Sequence, residues 1–150
     1  MFLSSSKLRT TFSVIIVAVA FLLSTHSASA CLCETFGSPK KDFDYAKTKA
    51  TSIFVGRAVE VVNGITHGDF SGWRVKLRIE RYYKGQLDEE VIVFTGRNDC
   101  AAHFAVGDEY LVLAYVPDGE RDLYTDVCMK TGLVRLSANE LKWLGKPKRR

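Results

Sequence analysis

Histidine is almost absent from this chain, whose 150 residues include only His26, His67 and His103. No serine or cysteine nucleophile constellation accompanies them, so the chain is not read as an enzyme. His67 sits in a glycine-flanked turn and His103 in a loop after Cys100, the usual setting of a solvated histidine. No segment repeats, and no low-complexity run occurs. No asparagine begins an N-x-Ser/Thr glycosylation acceptor. The most apolar run, Phe12 to Leu23, is about a dozen residues, too short for the roughly 20 that a membrane-spanning helix needs.

That run has another use. Lys7 and Arg9 precede it, and a short polar stretch leads from it to Ala28-Ser29-Ala30. A basic start, an apolar centre and small residues at the end form a secretory leader with its cleavage site. Residues 1–30 are therefore read as a signal peptide, and the protein as secreted, extracellular or periplasmic. Residues 31–145 form one domain, and residues 146–150 a basic, solvated tail. The mature chain would begin at Cys31.

The overall charge of +4 misrepresents this body. Lys7 and Arg9 belong to the leader, while Lys146, Lys148, Arg149 and Arg150 belong to the tail. Without those six, 15 of the 21 basic residues face all 17 acidic ones. A slightly acidic body is a poor partner for nucleic acid, which recruits a basic face.

All four cysteines, Cys31, Cys33, Cys100 and Cys128, lie after the cleavage site. An even number in a secreted chain reads as two disulfides. Joining Cys31 to Cys33 would close a very small strained ring, which leaves two pairings open, each tying the N-terminus to both distant cysteines. A zinc clasp finds little support in a C-x-C that lacks a second close pair.

The rest of the chain reads as short strands between turns. Asp42 to Thr51 forms a short helix with Phe43, Ala46 and Ala50 on one side. Ser52 to Val62 is β-branched and apolar, with Gly56 marking a bulge or bend, and Asn63-Gly64 and His67-Gly68 make a turn. Trp73 to Tyr83 alternates strictly, Val75, Leu77 and Ile79 against Lys76, Arg78 and Glu80. After Lys84-Gly85 come strands at Glu90 to Thr95, Glu109 to Val116 and Leu123 to Cys128. Ser137 and Glu140 read as the capping box of a last helix ending at Leu144. Asp88, Glu89 and Glu90 form a solvated turn cluster, and Tyr82, Tyr83, Tyr110 and Tyr115 are core and rim aromatics. Five short strands with marginal helices predict an all-β-dominated fold, a small closed or partly closed barrel.

At this point the chain resembles the inhibitory N-terminal, netrin-like domain of the tissue inhibitors of metalloproteinases. The resemblance is carried by Cys31-x-Cys33 directly after a signal site and by the passage from Ala50 to Ala58. Tyr83-Lys84-Gly85, Cys100, Phe104-x-x-Gly107-x-x-Tyr110-Leu111-Val112 and Cys128 continue it in order. It implies a five-stranded OB-fold barrel with short flanking helices and the disulfides Cys31–Cys100 and Cys33–Cys128. It also implies that the α-amino nitrogen and carbonyl oxygen of Cys31 chelate the catalytic zinc of a metalloendopeptidase, the chain bringing no cofactor of its own. Leu32 would enter the protease's specificity pocket, where the family often has a small hydroxyl residue. Cys33, Glu34, Arg97, Asn98 and Asp99 would complete the protease-binding ridge of a monomer with no stable membrane span. Animal members carry three bridges in this domain, and only two are available here. The alternative is a non-inhibitory OB-type binding module, or a surface lipoprotein lipidated at Cys31. Against lipidation, Ala28 stands where such signals usually carry leucine.

Overall fold

The computed structural model describes residues 31–67 and 70–148. The expected signal peptide, Gly68, Arg149 and Arg150 lie outside the described residues. Helix α1 (Pro39–Lys49) opens where Ser38 adopts an extended backbone and its hydroxyl accepts the Lys41 N–H at 3.3 Å. Pro39 suits the first helical position because its missing N–H has no intrahelical partner there. The helix thus begins three residues before the expected Asp42 and stops two short of Thr51. Its end is satisfied by Lys84, whose ammonium donates to the carbonyls of Lys47 and Ala50.

The sheet is organised on β1 (Ser52–His67), which pairs antiparallel with β2 (Phe70–Lys84) along its length. The first part of β1 also pairs antiparallel with β4 (Glu109–Ala114). β3 (Glu90–Gly96) lies antiparallel on the other side of β2, and β5 (Leu123–Tyr124) runs parallel to β3. A sixth strand, β6 (Gly132–Leu133), pairs antiparallel with β4, so the order is β5-β3-β2-β1-β4-β6. The sheet is therefore six-stranded and mixed, not five-stranded, because a two-residue strand carries no alternation for a sequence pattern to reveal. Tyr115, just past β4, exchanges backbone hydrogen bonds with Tyr124 of β5 at 2.9 and 2.8 Å. Hydrogen bonding thus runs from β1 through β2, β3 and β5 to the end of β4 and back to β1.

Other features also differ from the sequence reading. β1 continues past Asn63-Gly64, with a register shift between Val62 and Ile65 and Gly64 at φ 70° taking up the irregularity. The expected fifth strand ends at Tyr124, and Val127–Met129 forms a 3₁₀ turn capped by Asp126, whose carboxylate accepts the Met129 N–H at 2.9 Å. The capping box at Ser137 does not form: the Ser137 hydroxyl donates backwards to the Leu133 carbonyl, so α2 (Ala138–Leu144) has no side-chain cap. Gly56 meets its expectation, with a register shift beside it and the Arg78 carbonyl 3.0 Å from where a Cβ would stand.

Alternation along β1 divides the apolar residues into two clusters. Phe54 and Ala58 join Val75, Leu77, Val93 and Val112 on one face. Ile53 and Val55 join Leu111, Leu113 and Met129 beneath Phe43 and Ala46 of α1. Trp143 of α2 closes the second cluster, its ring 5.7 Å from that of Phe43. The tail is less detached than expected: the Lys148 N–H donates to the Tyr82 carbonyl at 2.8 Å, although its side chain is exposed. Among the described residues, no helix is long and apolar enough to cross a membrane.

Candidate functional site

Cys31, Leu32 and Cys33 have no regular secondary structure of their own, so covalent bonds position them. Cys31 is bonded to Cys100 and Cys33 to Cys128, with Cα separations of 5.1 and 5.2 Å. The bridges close spans of 69 and 95 residues, each of which limits the unfolded chain by about 4–5 kcal/mol in the chain-entropy account. They also lie against each other: the Cys31 Sγ is 3.6 Å from the Cys128 Sγ and 4.0 Å from the Cys33 Sγ. Three sulfurs within 4.8 Å would suit a metal if they were thiolates, but none of the cysteines is free. A sulfur engaged in a disulfide has no thiolate to offer, so the cluster is a structural pin.

The far ends of both bridges are held by short-range bonds that the cysteine spacing alone does not announce. In the loop after β3, the Asn98 side-chain oxygen accepts the Cys100 N–H at 3.2 Å, and its carbonyl accepts the Ala101 N–H at 2.9 Å. This is an Asx-type turn, the local chemistry for which asparagine is favoured. The buried Thr95 hydroxyl accepts the Ala102 N–H at 2.9 Å and fixes the loop's exit. The Cys100 carbonyl then accepts the Val127 N–H at 2.9 Å, which ties the first bridge's anchor to the residue before the second's. Asp126, not singled out from the sequence, holds the turn that carries Cys128; an aspartate just before a turn was its available signal. After the pin, the Phe36 N–H donates to the Asp42 carboxylate at 2.6 Å and the Phe36 ring lies 4.5 Å from Tyr45. The lead-in is thereby fixed to α1.

Of the residues singled out, Leu32 has the plainest placement. It is 95% exposed between two half-buried cysteines, more so than Leu136 at 73%. Glu34 borders a cleft of about 450 Å³ between α1 and the Pro117 turn, along with Tyr45, Tyr115 and Cys128. Burial raises the affinity of the Tyr115 hydroxyl for its proton, and the Asp126 carboxylate adds to the effect. Arg97, Asn98 and Asp99 are all exposed on the Cys100 loop, and the Cys31 bridge brings that loop to the N-terminal segment. His103 is exposed, with its ring edge-on to Trp73 at 5.4 Å.

No protein-family model matches the chain, and no curated protein matches it. The fold and the pinned segment define a small, sheet-dominated domain with two disulfides that present one short stretch of backbone and one bare leucine.

Proposed function

We propose that this protein is a secreted inhibitor of zinc metalloendopeptidases. Removal of residues 1–30 frees the α-amino group of Cys31. That nitrogen and the Cys31 carbonyl oxygen together form a bidentate ligand for the position a catalytic zinc keeps open for water. The metal belongs to the protease, and the inhibitor brings none of its own. Leu32 enters the neighbouring specificity pocket, while Cys33, Glu34, Arg97, Asn98 and Asp99 widen the contact. The inhibitor acts as a monomer in the extracellular or periplasmic space.

One observation carries this reading: two disulfides converge on a three-residue segment and leave Leu32 95% exposed between them. Burying a leucine contributes about 1.5–3 kcal/mol, and a segment fixed beforehand loses little further freedom on binding. The hydrogen-bonded circuit through β1, β2, β3, β5 and β4 supports an OB-type barrel, with β6 as an added edge strand. The lipoprotein alternative needs the Cys31 sulfur for a thioether, and that sulfur is bonded to Cys100.

An α-amino group has a pKa of about 8 and binds zinc only when deprotonated, so inhibition weakens as pH falls below that value. The deciding experiment adds one alanine before Cys31 and assays oxidised protein against a panel of zinc endopeptidases. The extended form should keep both disulfides and lose inhibition. Equal inhibition by the extended form, or a lipid adduct in the intact mass of native protein, would overturn the proposal.

A further inference from the structure

A second cleft, of about 540 Å³, opens where α1 ends, β2 ends and the C-terminal segment returns. Lys47, Lys84, Lys146 and Lys148 line it, with Tyr83 and Leu144 among them. Four lysines from three segments converge here although the body as a whole is slightly acidic. Each is held differently. The Lys84 ammonium is fixed against the last carbonyls of α1. Lys47 is 3.4 Å from Asp44, a carboxylate that also serves Lys40 at 2.6 Å. Lys146 and Lys148 are exposed, and Lys148 is anchored through its backbone to Tyr82. The sequence adds Arg149 and Arg150 directly after them.

We propose that this cleft docks the protein on an anionic phospholipid surface. Lipid phosphates supply a counter-charge for the exposed Lys146 and Lys148, whose stems lie along apolar surface while their ammoniums reach outward. Lys47 and Lys84, held by Asp44 and by the end of α1, add positive potential from the cleft wall. The half-buried Tyr83 and Leu144 add an aromatic and an aliphatic side chain of the kind found at headgroup depth. Purely polyanionic partners, such as a sulfated polysaccharide or a nucleic acid, would engage the lysines and leave these two unused. The cleft uses the Lys47 and Thr48 side of α1, whereas Tyr45, Ala46 and Lys49 border the cleft beside Glu34 and Cys128. Docking therefore leaves the pinned N-terminal segment uncovered. The inference does not depend on the inhibitor reading.

Protein secreted through its own leader and verified by mass is sedimented with vesicles of phosphatidylglycerol or of phosphatidylcholine. Binding is expected to phosphatidylglycerol only, and to weaken with added salt. Lys146→Gln with Lys148→Gln should lower the partition coefficient about 5-fold per lysine. Lys41→Gln with Arg121→Gln removes the same charge outside the cleft and should leave binding near that of the parent. Equal losses in the two double variants, equal binding to both lipids, or no effect of the cleft lysines would overturn the proposal. So would displacement from vesicles by a polysulfate or an oligonucleotide that binds more tightly.

Discussion

The Cys31 sulfur lies 3.6 Å from that of Cys128, although each is bonded to a different partner. A limiting dithiol that opens Cys31–Cys100 becomes oxidised itself and leaves a Cys31 thiolate facing the second bridge. Once the freed Cys31 side chain turns into line with the Cys33–Cys128 bond, attack on the Cys128 sulfur forms Cys31–Cys128 and expels Cys33 as a thiolate. Peptide mapping after partial reduction and acid quench should show a Cys31–Cys128 peptide; its absence at every dithiol level would refute the exchange. Replacing Cys33 and Cys128 together by serine should cost about 3–4 kcal/mol of stability in denaturant melts, less than the bridge alone would give, because Cys31–Cys100 already restricts most of the same span. Under the proposed mechanism inhibition should fall as well, since the segment loses its second anchor.

Leu32 separates function from stability. Because it is 95% exposed, Leu32→Ala should leave the melting free energy within about 0.5 kcal/mol of the parent. Under the proposed mechanism it should weaken protease binding by about 10- to 100-fold, the loss of most of a buried leucine. Titration against the most sensitive protease of the panel tests both halves. An unchanged affinity would remove Leu32 from the contact.

A small pH dependence of stability should arise on the outer face of the sheet. The Glu80 and Glu109 carboxyls share a hydrogen bond between Arg57, 3.1 Å from Glu80, and Arg81, 3.8 Å from Glu109. That shared bond, with burial adding to it, raises the Glu109 pKa, while the bond from Glu109 lowers that of Glu80. A raised carboxyl stabilises the fold below its ordinary value of about 4.3 and loses that contribution as pH rises through its folded value. Glu80 contributes in the opposite sense, and its share disappears as pH falls through its lowered value. Glu109→Gln keeps a donor toward Glu80 at every pH, so the decline above about 4.3 should vanish from thermal melts recorded between pH 4 and 7. Both groups are largely in solvent, so the effect is small.

Gly85 and Gly107 both have positive φ, 87° and 93°, but they differ in their surroundings. A Cβ on Gly85 would stand 2.8 Å from the Ser52 hydroxyl oxygen and 3.1 Å from the Thr51 carbonyl oxygen, whereas one on Gly107 meets nothing within 4 Å. Gly107→Ala should therefore cost about 1–2 kcal/mol, the backbone strain alone. Gly85→Ala should cost more, by up to about 3 kcal/mol. Paired denaturant melts compare them directly, and equal costs would show that the neighbours of Gly85 yield freely.

Whether an element was legible in the sequence depended on the length over which its physics repeats. The strict alternation from Trp73 to Tyr83 marks β2 because one face meets the core and the other solvent. β6 and the 3₁₀ turn at Cys128 are too short to show a period, and their positions are set by pairing with β4 and by the Asp126 cap. The start of α1 was written in Ser38-Pro39, a pair that also reads as a loop. Ser137 carried a sound capping pattern, but the turn before it took up its hydroxyl. For the candidate site, the spacing of cysteines left two pairings open, and the resemblance selected the one observed. The Asn98 turn and the Cys100–Val127 bond depend on three-dimensional neighbours, which no local pattern records.

The Cys33–Cys128 bridge joins the beginning of the described chain to a point 95 residues onward. During synthesis, Cys31 and Cys33 emerge well before Cys100 and Cys128 can meet them. A chain that stalls before Cys128 can form at most one of the two closures, and its leading segment stays loosely tethered. The second bond thus follows most of the sheet: the presenting segment gains its second anchor only after β1 to β5 have been made.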